Sequence, residues 1–122
     1  MEIKKVNIKD KFSLFNDLWS PKIVGELNGQ HVKLVKIKGE FDWHKHDNED
    51  ELFYVLKGLF RMELEYKTVP VQEGELIIIP RGTLHKPVAG QEVHIMLFEP
   101  VSTLNTGDNI QSELKNKNPE WI

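Results

Sequence analysis

Most of this chain divides into short apolar or alternating runs punctuated by Gly and Pro, and one early stretch departs from that rhythm. The cleanest alternation puts Phe60, Met62, Leu64 and Tyr66 on one face and Arg61, Glu63 and Glu65 on the other, the pattern of a half-buried strand. Leu52 to Leu56 is almost wholly apolar and β-prone, which predicts a strand covered on both faces. If Glu51 points inward there, Phe53 and Val55 do too, and Leu52, Tyr54 and Leu56 face outward. Two earlier strands are predicted over Ile23 to Leu27 and Val32 to Ile37, joined by Asn28-Gly29, a dipeptide suited to tight hairpin turns. The apolar phase changes between Leu34 and Val35, which predicts either a bulge or burial on both faces. Val69 and Val71 mark a short strand, and Glu73-Gly74 turns the chain into another over Leu76 to Ile79. His85 to Val88 and Val93 to Phe98 predict a last hairpin, turned at Ala89-Gly90.

The exception is the stretch 7–19, where Ile8, Phe12, Phe15 and Trp19 recur at helical spacings. Asn7 is placed to cap it and Pro21 to stop it. Eight or nine short strands, punctuated by Gly and Pro and preceded by one short helix, predict an all-β domain closed as a small jelly-roll barrel. Its core runs over about 22–99. The remaining 100–122 turns to Ser, Thr, Asn, Gly and Asp. Asp108 is a candidate cap for a short helix carrying Ile110 and Leu114, and the final Trp121-Ile122 is expected to dock on the barrel or on another subunit.

Composition narrows the function. At 122 residues one domain, 1–122, is expected. Sixteen basic against nineteen acidic residues, with no basic run, argue against a nucleic-acid partner. The chain has no cysteine, so thiolate sites and disulfides are excluded. No apolar run approaches the roughly 18–20 residues that cross a bilayer, and Met1 to Lys11 has no signal-peptide core. These features point to a protein of the cytoplasm without a membrane partner.

The candidate chemistry is carried by histidines. If 40–46 is a strand, His44 and His46 project from one face and aim at one spot. Glu51 comes after an acidic turn and can reach the same spot, with Asp50 its rival should the register slip. His85 arrives from far along the chain, just after the Pro80-Arg81-Gly82 turn. Three imidazole nitrogens and one carboxylate oxygen would hold a divalent cation at roughly 2.0–2.2 Å. Beyond this set, His94, in phase with Met96 and Phe98, and Tyr66 are the candidate catalytic groups, with Glu63 a third. His31, after the hairpin turn, is expected to face solvent.

These residues fall into a recognisable arrangement: Gly39, four residues, His44-Lys45-His46, four residues, Glu51, six residues, Gly58. A second follows after fifteen intervening residues: Gly74, five residues, Pro80-Arg81-Gly82, two residues, His85, three residues, Ala89. The pair resembles the two motifs of the cupin superfamily. Two positions depart from it, since Gly39 lies one residue close to His44 and Ala89 stands where the motif has Asn. The resemblance implies a metal-binding jelly roll of the double-stranded β-helix type, with His44, His46, Glu51 and His85 as ligands of iron, manganese, nickel or zinc. It also implies a homodimer and a small-molecule substrate. The activity expected is isomerisation, lyase-type cleavage or dioxygenation of a compact polar metabolite. One alternative is a non-catalytic cupin that binds or senses a small molecule through the metal, and another a metal-free, sugar-epimerase-like cupin in which a histidine acts as base.

Overall fold

The computed structural model describes residues 2–122. Nine elements succeed one another: α1 (Ile8–Phe12), β1 (Lys22–Leu27), β2 (Gln30–Glu40), β3 (Glu51–Lys57), β4 (Leu59–Leu64), β5 (Thr68–Gln72), β6 (Leu76–Ile79), β7 (His85–Pro100) and β8 (Glu120–Trp121). The long β7 is the seam of the barrel. Its second half lies between β2 and β3, antiparallel to both, and its first half between the end of β2 and β4. Beyond these, β5 pairs with β4, β6 with β3, and β1 with β2, so the strands form one curled sheet. This is the all-β jelly roll that the alternation predicts, with a short helix before it.

The hairpin predicted at Ala89-Gly90 is not formed. Ala89 pairs with Gly39, and the same strand continues to pair Val93 with Ile37. Gly90, Gln91 and Glu92 bulge opposite Lys38, so the glycine relieves a bend within one strand instead of reversing the chain. That bend lets β7 serve both halves of the barrel.

Inside lie Val35 and Ile37 of β2, Phe53 and Val55 of β3, Phe60 and Met62 of β4, and Val93, Ile95 and Leu97 of β7, all buried. The phase change in β2 proves to be burial on both faces. Val35 (4% exposed) belongs to this inner core, whereas Leu34 (0%) packs outward with Phe12, Phe15 and Val24. The N-terminal segment is therefore a cover for the outer face of β1 and β2. Each such side chain removed from water contributes about 1.5–3 kcal/mol.

The helix is shorter than its apolar spacing predicts. Asn7 caps it, its side-chain oxygen accepting from the Asp10 amide at 2.9 Å, but it ends at Phe12. The Phe15 carbonyl instead accepts a buried hydrogen bond from Lys36 Nζ at 2.6 Å, and Trp19 adopts a φ of 60°, outside any helix. Burying Phe12 and Phe15 outweighs continued helical hydrogen bonding. At the other end, β8 adds in parallel to β1, and the Ile122 amide donates to the Ile23 carbonyl. Lys22 ties both termini to β1 through Asp17 (2.8 Å) and Glu120 (3.1 Å). Trp121 keeps more than half its surface in solvent, its indole meeting the edge of His31. His31 is itself half-buried and paired with Glu26 at 3.3 Å, not free in solvent as expected.

Candidate metal centre

The strand expected over 40–46 stops at Glu40, and the chain from there to β3 is irregular, held by one bridge. The amides and carbonyls of His44 and His85 exchange hydrogen bonds at 3.1 and 2.9 Å, which places the two rings together, 4.2 Å between centroids. His46 is fixed by its carbonyl, which accepts from the Gly82 amide at 2.8 Å. Glu51 is the first residue of β3, and its inward phase is shared with Phe53 and Val55. Asp50, the rival, is exposed and accepts hydrogen bonds from the backbone and guanidinium of Arg81. That contact fastens the loop before β3 to the Pro80 turn and sets the register in favour of Glu51.

His44, His46, Glu51 and His85 are all buried, and one ligand atom from each lies within 4.8 Å of the others. The ring nitrogens are sorted by their outer partners. Nδ1 of His44 faces the Asp42 carbonyl and Nδ1 of His85 faces the Thr83 carbonyl, both at 2.8 Å. A carbonyl only accepts, so both Nδ1 atoms carry the proton and each Nε2 presents a lone pair. Nε2 of His46 and of His85 and Oε1 of Glu51 have no hydrogen-bond partner, although Glu51 Oε1 sits 3.2 Å from the first and 3.6 Å from the second. Buried polar atoms without partners are costly and rare. Here they are the atoms a divalent cation would satisfy, and the donor set of three imidazoles and one carboxylate fits it.

The electrostatics agree with a site built for positive charge. Burial, helped by the neighbouring His85, pushes His44 down to about 4. Burial also acts against charge on His46, but the Glu51 carboxylate beside it leaves its pKa raised above 6.5. Burial would raise Glu51, yet the His46 and His85 rings close beside it hold it well below the ordinary carboxylate range.

All three candidate catalytic groups lie elsewhere. His94 points out of the barrel, because the inward phase of β7 belongs to Val93, Ile95 and Leu97; it stacks on Phe12 at 4.5 Å and contacts Glu92 at 2.9 Å. Tyr66 lies past the end of β4 and is 78% exposed. Glu63 pairs with Arg61 on the outer surface. Facing the centre instead is a small cavity, with His44 and Glu51 at one end and walls that include Trp19, Val35, Phe41, Phe53 and Leu97. It offers about 40 Å³ to the centres of water-sized molecules.

With this geometry in hand, comparison with known proteins is decisive. The sequence profile of the Cupin domain family matches residues 31–99, more than half of the chain. The chain is a cupin. A crystal structure of a cupin-2 domain containing protein from Shewanella frigidimarina shares 45% identity with it. The two align with a TM-score of 0.77 over 78% of this cupin and 93% of that chain. YdbB of Bacillus subtilis, an uncharacterised protein, is 34% identical over 80 residues, 65% of each chain. The 3-hydroxyanthranilate 3,4-dioxygenase 2 of Aspergillus fumigatus is 25% identical over 92 residues, 70% of this cupin and 48% of the enzyme. This cupin thus spans just under two thirds of YdbB and about half of the dioxygenase.

Two features of this cupin's site were not anticipated. Glu99 stands next to Glu51 on the neighbouring strand; it is buried, and Lys33 Nζ donates to it at 2.9 Å. Burial and then the charge of Glu51 push Glu99 well above the ordinary carboxylate range. A signal for both was present, since Lys33 is in phase with Val35 and Ile37, and Glu99 with Ile95 and Leu97. The second feature is the tail. No helix forms over 100–122; Asp108 accepts from the Lys45 amide at 2.9 Å and its own amide donates to the Lys45 carbonyl, so the tail straps the histidine loop.

Proposed function

We propose that this cupin holds one divalent metal ion with His44, His46, Glu51 and His85 and acts on a small molecule that reaches the ion through the adjoining cavity. The observation that carries the reading is the set of orphaned Nε2 and Oε1 atoms converging at the end of an apolar barrel. Four protein ligands leave one or two positions for substrate or dioxygen. The ion, iron, manganese, nickel or zinc, supplies Lewis acidity or oxygen activation there.

Of the three reaction types, dioxygenation asks least of the chain. Among the described residues, the only titratable side chains lining the cavity are the ligands His44 and Glu51, so isomerisation or elimination would lack a separate proton carrier. The dioxygenase relative supports the same choice. Elemental analysis of untagged protein beside a His85→Ala control tests it: near-stoichiometric iron, lost in the control, is expected. The missing base also favours a second reading, a metal-anchored binding or sensing cupin. An iron-loaded protein that consumes no dioxygen and returns its bound ligand unchanged would support that alternative.

We also infer a homodimer. The outward face of β3, β6 and β7 gathers Leu52, Tyr54, Leu76, Ile78, Met96 and Phe98, with Leu76 and Ile78 more than half exposed. An apolar sheet face of that kind is suited to burial against a second copy.

A further inference from the structure

The walls of the cavity are as informative as its metal end. Apart from His44 and Glu51, its one polar lining residue is Asn105. That amide is already engaged within the tail, Nδ2 donating to the Leu114 carbonyl and Oδ1 accepting from the Asn116 amide, both at 2.8 Å. Among the described residues, no lysine or arginine lines the space. Each additional hydroxyl carried into the apolar part of the space would lose its hydrogen bonds to water without replacement, at a cost of about tenfold or more in affinity.

One wall is also held in place against local preference. Trp19 has a φ of 60°, a region disfavoured for a large side chain. Its amide donates to the Lys36 carbonyl at 2.9 Å and its indole Nε1 to the Lys38 carbonyl at 3.0 Å, which together fix the strained conformation. The indole then stacks on Phe41 at 4.8 Å and closes the cavity beside Val35, Ile37 and Phe53. Strain of this kind persists where the surrounding structure over-determines it, characteristically at binding sites.

From this arrangement we infer that the ligand is a compact, largely hydrocarbon molecule with one oxygen-donor head group for the metal, and not the polar metabolite that the family resemblance implies. The inference rests on the metal-centre reading above. The head group, whether carboxylate, carbonyl or hydroxyl, meets the ion between His44 and Glu51, while a short branched or planar body fills the space against Trp19 and Phe41. Every methylene buried in such a wall strengthens binding by about fourfold.

The test uses full-length protein loaded with cobalt(II), its stoichiometry first established by elemental analysis. Acetate, butyrate, isovalerate and glycerate are then titrated in, and the visible absorption of the cobalt is monitored. Isovalerate is expected to bind at least about tenfold tighter than acetate, with glycerate no tighter than acetate. Trp19→Gly, which accommodates the positive φ but removes the indole, is expected to abolish most of isovalerate's advantage. Glycerate as the tightest ligand, or equal affinities across the alkyl series, would overturn the inference and leave the metal centre standing. Failure of cobalt to bind at all would remove the metal centre and the inference with it.

Discussion

His46 shows how much depends on single atoms at this site. Its Nε2 has no partner within the protein, and its backbone is held independently by Gly82, so the ring can be removed without dismantling the loop. His46→Ala is expected to weaken metal binding by at least about 100-fold while the circular dichroism of the barrel is unchanged. Isothermal titration beside the spectrum checks both halves of that statement. Acid should act through the same residue. Because its pKa is raised above 6.5 by Glu51, a proton competes with the metal at His46 from above that pH. Affinity should be full in the alkaline range and fall by about tenfold per pH unit as pH drops through the raised value. An affinity that stays level down to pH 5 would contradict the assignment. Lys33 and Glu99 supply a different test. Lys33→Met leaves Glu99 buried without its cation and is expected to cost about 3 kcal/mol in chemical denaturation, most of it recovered in the double variant Lys33→Met with Glu99→Leu.

At the scale of elements, the legible part of the fold is the part that local pattern dictates. Six strands fall where the apolar runs, the alternation and the turn residues between them place them, and the inward phase of Glu51 is that of Phe53 and Val55. Three features were not legible, each for a reason of tertiary origin. Gly90 looks the same in sequence whether it turns a hairpin or eases a bend, and only the pairing partners Gly39 and Ile37 distinguish the two. Helical spacing from Ile8 to Trp19 was real, but Phe15 and Trp19 are placed by contacts with β2, through the Lys36 ammonium and the Lys36 and Lys38 carbonyls. The tail carries no periodic signal, since its order comes from contacts with the histidine loop. Gly107 is the tightest of those contacts: with φ +53° it lies so close that an added Cβ would collide with the Lys45 carbonyl oxygen. Gly107→Ala is therefore expected to lift the strap. The expected readout is faster proteolysis within 100–115, with the barrel core intact.

For the whole molecule, the distribution of apolar surface makes the clearest statement. The inner core and the outer face of β1 and β2 are covered from within the chain, the latter by Phe12, Phe15 and Ile122. The face of β3, β6 and β7 is not. Sedimentation at micromolar concentration should give a dimer, and Ile78→Lys should shift it toward monomer; a monodisperse wild-type monomer would contradict the proposed pairing. No helix among the described residues is long and apolar enough to cross a membrane. The proposed function turns on whether the four converging side chains hold an ion. Elemental analysis of protein purified without a tag, beside His85→Ala, addresses that directly. About one metal per chain, absent from the variant, is the predicted result; no metal in either protein, even after reconstitution, would contradict it.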